Sequence, residues 1–72
     1  MNQELEDSLM IRLKELRLEY GYSQKYVAEQ LNISRQAISK WENGRSYPDI
    51  DNLRLLSALY DVSLDSFFFK MI

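Results

Sequence analysis

The residue types that could do chemistry in this chain are cationic, amide and hydroxyl side chains, concentrated in one short segment. Residues 35–45 hold six of them: Arg35, Gln36, Ser39, Lys40, Asn43 and Arg45. Arginine pairs with the O6 and N7 acceptors of guanine, glutamine pairs with adenine, and lysine binds guanine or phosphate. Side chains of these types can contact a nucleic acid, but each residue taken singly more often belongs to an ordinary solvated surface. The spacing of the helices that carry them decides between the two.

Other chemistries are poorly supported. The 72 residues include no cysteine and no histidine, which excludes cysteine nucleophiles, histidine-based triads and zinc sites built from these ligands. Four aspartates could suggest a metal site or acid–base catalysis, but their positions at helix starts explain them better, and calcium-loop spacing is absent. These are Asp49, Asp51, Asp61 and Asp65. We therefore expect no enzymatic activity, no metal and no other cofactor.

The charge of the chain is unevenly distributed. The net charge is −2 and the pI is about 5.0, which counts against a DNA-binding protein, since such proteins are usually basic. Residues 20–47, however, carry four cations against two carboxylates, and each flank has a net charge of −2. A local basic face of this kind can bind phosphate, with weak long-range steering.

The elements that must position these side chains are helices. Leu9, Leu13, Leu16 and Tyr20 fall on one helical face. Four times, an apolar residue precedes a capping hydroxyl or carboxylate, and another apolar residue follows five positions after the first. The predicted helices end at residues that tolerate the left-handed conformation, namely Gly21, Asn32, Gly44 and Asp61. The pattern predicts five helices, over 9–20, 24–31, 35–43, 50–60 and 64–70, in an all-α fold.

The predicted organisation is a single compact domain over residues 1–72. Residues 1–8 are either a flexible extension or the start of the first helix, and residues 64–72 form a C-terminal helix with an apolar tail. No stretch reads as a membrane span or a signal peptide. We therefore expect a cytoplasmic, nucleoid-associated protein without a membrane partner, and no small-molecule ligand is evident.

The two short helices 24–31 and 35–43 are joined by a turn of three residues. If Ala37, Ile38 and Trp41 face inward, the outer face of the second helix carries Arg35, Gln36, Ser39 and Lys40 near its start. A helix-turn-helix presents its second helix to the major groove of DNA in this way.

The sequence resembles the Cro and phage-repressor type of helix-turn-helix, the XRE family. The resemblance covers roughly residues 9–69 and is most specific from Ile38 to Gly44, with further matches at 23–24, 27–28, 31–34 and Pro48. It implies five helices in a lambda-repressor-like fold, and operator DNA bound by a dimer. Asn32, in place of the usual glycine of the turn, is a sterically mild departure.

The resemblance also implies roles for individual residues. Base contacts are expected from Arg35, Gln36, Ser39 and Lys40. Phosphate contacts are expected from Gln24, Lys25, Ser34, Asn43 and Arg45. Arg17 and Glu42 occupy positions that often form an internal ion pair, which the sequence leaves either buried or exposed.

The C-terminal end is more apolar than a small core needs. Leu64 and Phe67 can be buried, but the remaining residues suggest a partner surface, namely Phe68, Phe69, Met71 and Ile72. We expect a homodimer through this tail, together with the outer face of the first helix at Ile11 and Leu18. A frayed end, or one packed within its own chain, is the alternative.

These observations favour a small prokaryotic or phage transcriptional regulator. We expect a repressor that binds double-stranded DNA as a dimer on a pseudo-palindromic operator, with half-site centres ~34 Å apart. The alternative is a protein-interaction module, such as the antitoxin half of a toxin–antitoxin pair or a DNA-binding subunit that needs a partner protein.

Overall fold

A computed structural model describes the backbone of residues 3–68 and the side chains of residues 9–68. The described chain contains four α-helices: α1 (Gln3–Glu19), α2 (Gln24–Leu31), α3 (Arg35–Glu42) and α4 (Ile50–Tyr60). A short 3₁₀ helix (Leu64–Phe67) follows, and residues 3–68 contain no strand. The all-α class is confirmed, and α1 begins six residues before its predicted start.

The fifth predicted α-helix, over 64–70, is not confirmed. Within the described residues this segment is the 3₁₀ helix, in which Ser66 and Phe68 donate backbone hydrogen bonds to the carbonyls of Ser63 and Asp65. The side chain of Ser63 makes no capping hydrogen bond. The tighter three-residue pattern of hydrogen bonds satisfies the backbone of this short segment instead.

Each α-helix after α1 begins at a predicted capping residue. The side-chain oxygens of Ser23, Ser34 and Asp49 accept hydrogen bonds from the backbone N–H groups three residues further on, at 2.9, 3.2 and 2.9 Å. These contacts satisfy donors that a helix start otherwise leaves free. The sequence therefore located these three starts correctly.

The predicted stops adopt the left-handed conformation. Asn32 and Asp61, with φ of 59° and 54°, are the C-caps of α2 and α4. Gly21 and Gly44 have φ of 71° and 74°. Asp61 therefore ends α4. The expectation that all four aspartates lie at helix starts is wrong for this residue.

The core joins all four helices to the 3₁₀ helix. Val27, Ile38, Leu56 and Tyr60 are almost fully buried, and Phe67 has no exposed surface at all. Trp41 is also buried, as its helical register predicts. Because Phe67 contributes to this core, the C-terminal segment closes onto α1 and α4.

Over the residues that the structure describes, no helix has both the length and the apolar character needed to cross a membrane. No group of three carboxylates, histidines or cysteines within these residues could hold a metal ion.

Gly44→Ala is expected to destabilise the protein slightly more than Gly21→Ala. Both positions are left-handed, which costs an alanine roughly 1–2 kcal/mol. A β-carbon at Gly44 would also lie 2.9 Å from Met10 Sδ, whereas one at Gly21 meets nothing within 4 Å. Methionine is flexible, so we expect a further cost at Gly44 of up to ~1 kcal/mol. Urea unfolding of both variants measures the difference, and a larger loss at Gly21 would contradict it.

Candidate nucleic-acid interface

Helices α2 and α3 are joined by a turn whose backbone makes hydrogen bonds back to α2. The N–H of Asn32 donates to the carbonyl of Glu29 at 3.2 Å, and the N–H of Ile33 donates to that of Ala28 at 3.0 Å. The side chain of Ile33 packs against the core between the helices. This turn fixes the direction in which α3 leaves α2 and so sets which face of α3 meets solvent.

The outer face of α3 forms an open groove of about 360 Å³. It is lined by the four predicted base-contacting residues and two of the five predicted phosphate-contacting residues: Arg35, Gln36, Ser39, Lys40, Asn43 and Arg45. Three of these side chains are cationic, and none is a carboxylate. The groove therefore presents hydrogen-bond donors and positive charge together, as recognition of base edges and phosphates requires.

The loop after α3 is ordered by its own hydrogen bonds. The N–H groups of Gly44 and Arg45 donate to the carbonyls of Trp41 and Lys40, at 3.3 and 2.9 Å. The Asn43 amide donates to Ser39 Oγ at 3.3 Å. These bonds keep Asn43 and Arg45 beside the groove of α3.

The other three predicted phosphate contacts lie at helix starts. Lys25 is exposed in the first turn of α2. The hydroxyl of Ser34 already accepts the N–H of Ala37 as the cap of α3. Gln24, the first residue of α2, is half-buried and bonded to other side chains.

Arg17 and Glu42 form the ion pair that the resemblance implies, in which Glu42 is buried and Arg17 is half-buried. Arg17 Nε donates to Glu42 Oε2 at 2.7 Å, and Nη2 donates to Oε1 at 3.0 Å. The side chains are only 12% and 5% exposed. Arg17 Nη1 also donates to the carbonyl of Tyr22 at 2.9 Å. The hydrogen bond to Glu42 raises the pKa of Arg17, and the two bonds between the side chains join α1 to α3.

Sequence reasoning missed the partners of Gln24. Its Nε2 donates to Glu42 Oε1, and its Oε1 accepts from Arg35 Nη1, both at 3.1 Å. The first residues of α2 and α3 are therefore in direct contact. Their separation of 11 residues could have suggested proximity once both helices were placed, but not the bonding pattern.

The predicted partner surface is only partly described. Phe68 is half-buried and packs against the core, while Phe69, Met71 and Ile72 lie outside the described residues. Ile11 and Leu18 on α1 are 48% and 58% exposed. Together with Met10, Lys14, Glu15 and Glu42 they line a second groove, of about 290 Å³.

Comparison with known proteins shows which family the chain resembles most broadly along its length. The sequence model of the helix-turn-helix family matches residues 13–67. The transcriptional regulator ImmR of Bacillus subtilis is 50% identical over 58 residues, which are 81% of this chain and 46% of that protein. The transcriptional activator BcrR of Enterococcus faecalis is 43% identical over 54 residues, 75% of this chain and 26% of that protein. The chain thus spans between about a quarter and a half of these relatives.

A solved structure shares the fold. The crystal structure of the hypothetical transcription factor NHTF from Neisseria superposes with a TM-score of 0.82 at 24% identity, over 92% of this chain and 74% of that one. With the family model matched across α2, α3 and α4, this chain belongs to the helix-turn-helix family of transcriptional regulators, the XRE family that its sequence resembles.

Proposed function

We propose that this chain binds a specific double-stranded DNA operator by inserting α3 into the major groove, and that it acts as a dimeric repressor. The observation that carries the proposal is the groove of α3, in which exposed cationic and amide side chains meet without a carboxylate. Family membership supports regulation through DNA. What we propose beyond family membership is binding to a specific operator, dimerisation and repression.

The proposed contacts divide into two groups. Arg35, Gln36, Ser39 and Lys40 lie on α3 and face the bases. Lys25 at the start of α2, together with Asn43 and Arg45 after α3, flanks them and binds phosphates, which sets register without reading sequence. Ser34, the cap of α3, and the amide of Gln24, at the start of α2, are the remaining proposed phosphate contacts on this edge.

In vitro selection of random duplex DNA at near-physiological salt tests the proposal. We expect enrichment of a pseudo-palindromic sequence whose half-site centres lie ~34 Å apart. Weak, salt-sensitive binding without a preferred sequence would contradict it. Transcription in vitro from a promoter overlapping the selected site then tests repression, and an increase in transcript would show activation instead, the role named for BcrR.

Gln36→Ala is expected to weaken binding to the selected operator by roughly 1–3 kcal/mol and to relax preference at one base pair. Gln36 is exposed in the first turn of α3 and lines the groove. Fluorescence anisotropy on single-substituted operators measures both effects. Gln30→Ala, which removes an exposed glutamine outside this groove, is the control and should change little. A uniform loss across all operators would place Gln36 on phosphate rather than base.

The dimer is proposed to form through the apolar tail and the outer face of α1. Leu18→Glu and Met71→Glu are expected to shift sedimentation at micromolar concentration from dimer to monomer, because each places a charge in the apolar interface. Ile50→Glu alters a side chain that is 60% exposed on α4 and should leave the dimer intact. A strict monomer for the unaltered protein, with and without operator, would contradict the dimer.

A protein partner is the second candidate, because the groove along α1, with Ile11 and Leu18 exposed beside charged side chains, suits one as well as a second copy of this chain. In that case the chain is an antitoxin-like or adaptor module. A monomer without sequence preference in the selection would favour it.

A further inference from the structure

The outer face of α1 carries a symmetrical pattern of apolar and charged residues. Ile11, Lys14, Glu15 and Leu18 project within about 100° of one another around the helix, on the side opposite its buried residues, and all four are exposed. An apolar residue lies three positions before the cation, and another lies three positions after the adjacent carboxylate. We call these four residues the α1 stripe. Its two halves match in spacing and are opposite in charge.

A second copy of α1 laid antiparallel along the α1 stripe complements it at every position. With a twofold axis between positions 14 and 15, Ile11 meets the partner's Leu18, and Lys14 meets the partner's Glu15. Because each contact of a twofold interface occurs twice, this arrangement makes two apolar contacts and two ion pairs. A parallel arrangement instead sets lysine against lysine and glutamate against glutamate, and like charges in contact are costly. The stripe therefore favours the antiparallel pairing.

The contacts that the charged residues of the α1 stripe already make are weak. Glu15 lies 3.8 Å from Arg12 on the same helix, and these side chains are 47% and 31% exposed. An exposed pair of this kind contributes little to stability. Glu42, which lines the same groove, is held by Arg17. Of the ion pairs among the described side chains, none involves Lys14. A second copy therefore replaces one weak contact by two ion pairs between the copies.

We infer that the partner of the α1 stripe is the same stripe of a second copy, paired antiparallel in the register that sets Ile11 against Leu18 and Lys14 against Glu15. The inference rests on the dimer of the proposed function and specifies its axis and its contacts. Two apolar side chains per copy are few for a standard interface of about 800 Å² per partner. The stripe therefore sets the register of the dimer, while the apolar tail proposed above supplies further area.

Charge reversal tests this register in the free protein. Lys14→Glu and Glu15→Lys each turn two attractive pairs into two repulsive ones, so each variant is expected to self-associate roughly 5- to 30-fold more weakly. An equimolar mixture of the two variants restores attraction at both pairs, and so does Lys14→Glu combined with Glu15→Lys in one chain. Sedimentation equilibrium measures the association. A mixture that associates no more tightly than either variant alone would overturn the inference.

Arg54→Glu is the matched control for charge. It changes the net charge by the same amount as Lys14→Glu, at a side chain on α4 that is 73% exposed and lies outside the α1 stripe. We expect self-association to remain as in the unaltered protein. Equal weakening by Arg54→Glu and Lys14→Glu would mean that total charge, and not the pairing of α1, governs association, and the inference would be wrong.

Disulfide formation tests the direction of pairing, since the chain has no cysteine of its own. In the antiparallel register the two copies of position 11 lie seven residues apart along the helices, about 10 Å. A disulfide requires Cα atoms within about 7 Å. Under mild oxidation, we expect Ile11→Cys and Leu18→Cys to form no disulfide alone and to form one when mixed. Disulfides in either variant alone, or none in the mixture, would contradict the antiparallel pairing.

The selection from random DNA separates this inference from the proposed function. A pseudo-palindromic site enriched by a protein whose charge variants show no rescue would place the dimer interface elsewhere, which overturns this inference alone. Charge rescue without an enriched site would retain the α1 pairing and contradict operator binding. A strict monomer with and without DNA would overturn both the pairing and the proposed dimer.

Discussion

Arg17→Met is expected to lower the free energy of unfolding by about 3–5 kcal/mol, because it leaves the buried carboxylate of Glu42 without its cation. The pair is 2.7 Å apart with a 5%-exposed carboxylate, and after the change Gln24 still donates a hydrogen bond to that carboxylate. A domain of this size has a total stability on the order of 4–11 kcal/mol. Chemical denaturation should therefore show a variant close to unfolding at room temperature.

A surface pair provides the control. Arg54 and Asp51 lie 4.0 Å apart and are 73% and 83% exposed, so Arg54→Ala should cost under about 1 kcal/mol. Adding Glu42→Leu to Arg17→Met should restore much of the lost stability, since it removes the uncompensated charge. If Arg17→Met alone were as stable as the unaltered protein, the Arg17–Glu42 pair would contribute nothing to the stability of the fold.

Phe67→Ala is expected to cost about 3–5 kcal/mol, the range typical of a large buried side chain removed from a core. Phe67 has no exposed surface and holds the 3₁₀ helix against α1 and α4. Leu55→Ala, which truncates a side chain that is 47% exposed, should cost far less. Thermal unfolding by circular dichroism compares them, and equal losses would contradict the role of Phe67 as the anchor of the C-terminal segment.

The helix boundaries were predictable because they depend on local chemistry. Ser23, Ser34 and Asp49 cap helices through atoms three residues away, and Asn32 adopts the left-handed turn without help from distant residues. The segment after Ser63 carries the same pattern of residues, but its serine does not cap. Whether a short segment extends into an α-helix depends on tertiary packing, which the local pattern does not contain.

In the candidate site, too, some features follow from the local sequence and others depend on tertiary packing. The faces of α3 follow from helical periodicity, so the residues lining its groove were foreseeable from their spacing. The bonds of Gln24 were not, because they depend on how α1, α2 and α3 meet around Glu42. The Arg17–Glu42 pair likewise joins residues 25 positions apart, and how far it is shielded from solvent depends on packing rather than on sequence spacing.

The cationic groove of α3 belongs to a chain whose net charge is −2, and this contrast bears on kinetics. Beyond a Debye length of about 8 Å the acidic flanks offset the attraction of the groove for DNA. We therefore expect association rates near those of uncharged partners, about 10⁵–10⁶ M⁻¹s⁻¹. Tight operator binding would then come from slow dissociation, so that the lifetime of the bound complex, rather than the speed of finding the site, sets occupancy.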